Sequence, residues 1–130
     1  MPVPLNVLVV DDSAVMRAMV IRTLRMSGLE LGEVHQAEHG AAALAVLDAG
    51  GHVDVALVDI NMPVMTGDEL IDRIRARPGT AHLPIVVIST ESSRERIEAL
   101  RARGTEFIHK PFDPFAVRDI VMRAVEGVHV

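Results

Sequence analysis

Apolar residues in this chain fall into two kinds of run. The first kind is short, continuous and rich in Val and Ile: LNVLVV (5–10), VDVALV (53–58) and PIVVIS (84–89). Length and β-branched content predict strands. The lack of polar alternation predicts strands buried on both faces, as in a parallel sheet. EVHQA (33–37) and EFIH (106–109) are weaker strand candidates. The second kind of run repeats every three or four residues and predicts helices. In SAVMRAMVIRTLRMSG, Val15, Met16, Met19, Val20 and Leu24 are expected on one face, with Ser27-Gly28 as the stop. GAAALAVLDAGG presents Leu44 and Leu47 and ends at Gly50-Gly51; GDELIDRIRARPG presents Leu70, Ile71 and Ile74 and ends at Pro78-Gly79. SSRERIEALRARG opens with a capping-box spacing, Ser92 to Glu95, and DPFAVRDIVMRAVEG offers Asp113 as cap with Pro114 at the first helical position. The order is strand then helix, five times over. That alternation implies an α/β fold, a parallel sheet with helices on both faces.

Composition narrows the function classes. At 130 residues, 49% hydrophobic and 24% charged, the chain is expected to be one globular domain with no linker or low-complexity tract. Its net charge is -5, and its arginines are scattered without interleaved aromatics, so nucleic acid is not an expected partner. The absence of cysteine excludes disulfides, thiolate nucleophiles and Cys-ligated zinc. The amino-terminal stretch MPVPLNVLVVDD has no basic leader, and no segment reaches the roughly 18 apolar residues of a membrane span, so a soluble, cytoplasmic protein is expected, without membrane insertion.

The polar residues that end the strands carry the chemistry. Asp11 and Asp12 follow the first strand, Asp59 ends the third, Ser89 the fourth, and Lys110 the fifth. In a parallel α/β sheet all of these fall at one edge, where such folds bind ligands. Two like charges about 4 Å apart repel by roughly 4 kcal/mol at an effective dielectric of about 20, and burial adds a desolvation cost. A hard divalent cation offsets both, and Mg2+ accepts one or two carboxylates and a backbone carbonyl while keeping room for phosphate oxygen. A hydroxyl and an ammonium, Ser89 and Lys110, suit the remaining phosphate oxygens. Lys110 is the only lysine, against twelve arginines. Where a compact point charge is needed, the chain departs from its habit of using Arg.

The combination VVDDS, LVDINMPVMTG, VVIST and IHKPF resembles the receiver domain of two-component response regulators, and most resembles its single-domain, CheY-like members. The likeness runs from about Val7 to Val125. It implies a flavodoxin-like (βα)5 doubly wound sandwich, its sheet ordered 2-1-3-4-5, and a single receiver domain over 1–130 with no output domain. It implies that Asp59 is the phosphoacceptor, taking a phosphoryl group from a histidine kinase or phosphotransfer protein. Asp12 matches the acid that binds Mg2+ directly, Asp11 its partner, and Asn61 the residue whose backbone carbonyl completes the metal site. Ser89 matches the hydroxyl that follows the phosphoryl group, and Lys110 the lysine that pairs with it, before Pro111 and an often cis peptide. Phe107 matches the aromatic that changes rotamer on activation. Asn61 and Glu91 match positions that tune hydrolysis, which implies a short-lived phosphorylated state. Output is expected by protein contact through the α4-β5-α5 surface, as a monomer or a phosphorylation-dependent dimer, with chemotaxis one candidate outcome. The spacing from Gly104 to Lys110 is one residue shorter than the family pattern.

Plainer readings cover other residues. Asp54 and Asp113 are expected as turn or cap residues, and Met16, Met19 and Met122 as core filler. The histidines show no metal-ligand spacing. The arginines of the fourth helix read as a solvated face that, in the family, partners also use. A small Mg2+-dependent phosphatase of the haloacid dehalogenase type also forms an aspartyl phosphate, but places D-x-D after its first strand; here the pair is adjacent. A nucleotide site would need a glycine-rich loop where DDSAVMR stands. A degenerate receiver used only as a binding module is the remaining alternative.

Overall fold

A computed structural model describes residues 4–50, 52–60, 62, 65–90 and 93–126. The strands are β1 (Leu5–Val10), β2 (Leu31–Ala37), β3 (Val55–Asp59), β4 (Ile85–Ser89) and β5 (Thr105–His109). They alternate with α1 (Ala14–Met26), α2 (Gly40–Asp48), α3 (Gly67–Ala76), α4 (Arg94–Arg101) and α5 (Pro114–Glu126). The strands form one parallel sheet ordered β2-β1-β3-β4-β5. This is the flavodoxin-like architecture expected of the sequence. The three continuous Val/Ile runs are its three central strands, and the two weaker runs are its edges, β2 the more exposed of the two.

Side-chain alternation divides the sheet between two cores. Val7, Val9, Val55, Leu57, Val86 and Ile88 face α1 and α5, meeting Val20, Leu24, Val117 and Val121. Leu8, Val10, Ala56, Val58, Ile85 and Val87 face α2, α3 and α4, meeting Leu44, Leu70, Ile71, Ile74 and Leu100. Asp113 caps α5 as expected: its carboxylate accepts from the amides of Phe115 (2.9 Å) and Ala116 (3.0 Å).

Two local expectations are corrected. Only Val20 and Leu24 of α1 are buried, whereas Val15 and Met19 are 73% and 52% exposed. At 3.6 residues per turn, Met19 lies about 100° and Val15 about 140° around the helix from Val20, too far for one stripe to hold all five residues. Met19 is therefore not core filler. The cap of α4 falls one residue later than the Ser92 spacing predicts: Ser93 accepts from the amide of Arg96 at 3.3 Å. Ser92 lies outside the described residues.

Candidate functional site

The ladders end at different points on each strand, and the crevice beyond them gathers the polar residues. The amide of Asp11 donates to the carbonyl of Ala37 at 3.1 Å, one step past β1, and its Oδ1 accepts from the amide of Ser13 at 2.9 Å. That short loop turns the chain into α1, where the Ser13 hydroxyl accepts from Met16 at 3.1 Å. Asp11 is buried and Asp12 exposed. Asp59 closes β3 in register with Ile88 and is 9% exposed. Carboxylate oxygens of Asp11, Asp12 and Asp59 all lie within 4.8 Å of one another.

Electrostatics follow from that crowding. Burial pushes the Asp11 carboxyl above its ordinary value, with Asp12 adding to the effect; the Ser13 amide and Lys110 oppose it without cancelling it. The ammonium of Lys110 stands 3.9 Å from Asp59 Oδ1, an ion pair longer than a direct hydrogen bond. The Lys110 amide donates to the carbonyl of Ser89 at 2.8 Å, which extends the β4–β5 ladder to the crevice. Ser89 is 1% exposed. The Lys110–Pro111 peptide is cis. All five residues that end the strands thus share one edge. Three oxygen donors of this kind fit a hard divalent cation; nothing in the set favours a softer metal.

The backbone after Asp59 is held tightly. The amide of Gly67 donates to the carbonyl of Ile60 at 2.8 Å, and a Cβ on Gly67 would stand 2.6 Å from Ile60 Cα and 2.7 Å from the Asp59 carbonyl. Only glycine permits that approach. The model of the response regulator receiver domain matches residues 7–122 of this chain.

The chain belongs to the response regulator receiver family.

Similar receivers include the chemotaxis protein CheY1 of Helicobacter pylori, 40% identical over 116 residues, or 88% of this chain and 92% of that protein. CheY of Pseudomonas aeruginosa is 32% identical over 126 residues, 96% of this chain and 99% of that one. The solved structure of Vibrio cholerae CheY4 superposes with a TM-score of 0.80 at 36% identity, covering 94% of this chain and 99% of that one. A probable two-component response regulator/GGDEF domain protein gives a TM-score of 0.83 at 31% identity, covering 97% of this chain and 51% of that one. Receivers are signalling switches rather than classical enzymes, which sets aside the haloacid dehalogenase alternative.

The remaining sequence expectations divide into three groups. Phe107 is buried in β5 opposite Val87, and lines a groove with Arg94, Ile97, Arg101 and His109 on the α4 side. Asn61 and Glu91 lie outside the described residues. Asp54 is a turn residue at the opposite edge, where its Oδ2 accepts from the amide of Asn6 at 2.8 Å. Sequence reasoning missed Arg17, whose Nη1 donates to the Asp11 carbonyl at 2.6 Å and whose Nε donates to Gln36 Oε1 at 3.0 Å. Its place one turn into α1, on the side of the crevice, was the available signal.

Proposed function

We propose that this receiver is a phosphorylation switch of two-component signalling, acting in the cytoplasm, with Asp59 as its phosphoacceptor and Mg2+ as its cofactor. The observation that carries the reading is the meeting of three carboxylates and one ammonium at the carboxyl edge of the sheet, where Ser89 ends β4. An Asp59 oxygen attacks the phosphorus of a phosphohistidine on a histidine kinase or phosphotransfer protein. The new P–O bond forms as the P–N bond breaks, and the imidazole leaves. Such transfer asks the protein for positioning and charge neutralisation more than for covalent help. Asp11, Asp12 and Asp59 would hold the metal, with the Asn61 carbonyl, and the bound metal neutralises charge on carboxylate and phosphoryl oxygens. Lys110 moves onto a phosphoryl oxygen, for which its 3.9 Å separation from Asp59 leaves space. Ser89 donates its hydroxyl to another. Asn61 and Glu91 tune the return to the resting state by hydrolysis, which the receiver itself promotes.

The signal leaves by protein contact through α4, β5 and α5. Phe107 joins the site to that surface, because it pairs with Val87 on the strand that Ser89 ends and lines the groove with Arg94 and Arg101. Loss of labelling in Asp59→Asn tests the assignment. Intact mass after incubation with acetyl phosphate should show one added phosphoryl group, only with Mg2+ and only in the wild type. Failure of folded wild type to label would leave a binding module. Labelling that survives in the variant would place the nucleophile elsewhere.

A further inference from the structure

Helix α4 is held loosely, and its first turn contains a charge of the wrong sign. Leu100 is its one buried residue. Arg96 sits in the first turn, where the helix dipole favours acids, not bases. What faces it explains it: Arg96 Nη2 meets Asp68 Oδ2 at 3.0 Å, across from the first turn of α3. The pairing is an ion-pair contact, not a fork. Asp68 Oδ1 and Arg96 Nε are both buried and, among the described residues, have no hydrogen-bond partner. A guanidinium and a carboxylate can form two parallel bonds, a stronger and more directional union. Leaving a buried donor and acceptor unmet disfavours the present arrangement.

Each end of this contact is tied to a different phosphoryl-holding residue. Asp68 follows Gly67, which is pressed against the Asp59 and Ile60 backbone. A capping box fixes the same turn: Thr66 Oγ1 accepts from the Glu69 amide at 3.3 Å, and Glu69 Oε1 from the Thr66 amide at 3.4 Å. Arg96 sits on the helix whose cap, Ser93, follows Ser89 by four residues. A shift of Ser89 toward a phosphoryl group on Asp59 would draw the first turn of α4 while Asp68 stays in place.

We propose that Asp68 and Arg96 form a positioning latch between α3 and α4, an ion-pair contact at rest that closes to a two-pronged fork when Asp59 is phosphorylated. This rests on Asp59 being the phosphoacceptor. The latch is a two-state contact that both the site and the output helix bias. It is a route to α4 that starts at Ser89 and bypasses Phe107.

Binding of beryllofluoride, a tetrahedral mimic of the phosphoryl group, tests it by calorimetry in Mg2+. Arg96→Lys keeps the charge but cannot form the fork; Asp68→Asn removes the charge. Each should weaken beryllofluoride binding about fivefold or more, and the double variant no further than the worse single. A merely structural tie would lower the melting temperature of the unliganded variants and leave that affinity unmoved. Wild-type affinity in both singles, or effects that multiply in the double, would overturn the latch alone. Failure of the wild type to bind would overturn the latch and the phosphoacceptor together.

Discussion

The two edges of the sheet treat charge in opposite ways. At the amino edge, Arg75 is half-buried and spends its guanidinium on backbone carbonyls: Nε donates to Arg103 (2.9 Å), Nη1 to Leu83 (2.7 Å) and Ala81 (3.3 Å), and Nη2 to Gly104 (3.2 Å). Burial lowers the pKa of that group, and the carbonyls replace its lost water. Asp54 at the same edge accepts from Asn6 and meets His52 at 2.9 Å. At the carboxyl edge three carboxylates crowd together, and the ammonium of Lys110 stands 3.9 Å from Asp59. One edge joins α3 to the turns before β4 and β5. The other crowds carboxylates beside a single ammonium, the arrangement on which the proposed function rests. Stability and function are thus separated along the strands.

That separation can be broken at either edge. Arg75→Met should have the largest effect on stability, about 2–4 kcal/mol in urea unfolding, because four carbonyls lose their donor. The protein that remains folded should still label at Asp59 by intact mass. Asp11→Asn should act the other way. The folded chain binds the Asp11 proton more tightly than the unfolded chain, whose carboxyl titrates near 3.8. Stability is therefore full below that value and falls as pH rises through the higher folded one. In chelator at pH 7 the Asn variant should have the higher urea midpoint. The gap should close in acid, and saturating Mg2+ should narrow or reverse it. An unchanged midpoint would mean the carboxyl edge carries no electrostatic cost. The smallest effect is expected from Val15→Ser with Met19→Gln, on the exposed face of α1. Stability should stay within about 0.5 kcal/mol of wild type; a larger loss would mean that α1 packs on that side.

Legibility followed range. Each of Asp11, Asp59, Ser89 and Lys110 announces itself by ending an apolar run, because strand ends in an α/β fold converge on one edge. The central strands are legible because burial on both faces leaves them nearly continuous apolar runs, interrupted before their polar ends only by Asn6 in β1. β2 begins two residues before its predicted start, since Leu31 and Gly32 lie on a half-exposed edge where pattern is weak. The face of α1 was misjudged because apolar identity does not say which residues the sheet reaches. Arg75 and the Asp68–Arg96 pair were invisible, since a contact across 28 residues has no sequence period. Phe107 was named from resemblance alone; its burial opposite Val87 needed the register.

Alternation along the strands has a last consequence, for where the chain tolerates a change of length. Phe107 and Ile108 belong to opposite cores. A residue inserted or deleted between Phe107 and Lys110 would reverse the side on which one of them points, and would turn either the groove or the ammonium away from its neighbours. Upstream of Thr105 no such parity applies, since Gly104, at φ +78°, turns the chain directly into β5. Loops of this receiver can vary in length, while the steps from each strand's last apolar residue to its polar end are fixed.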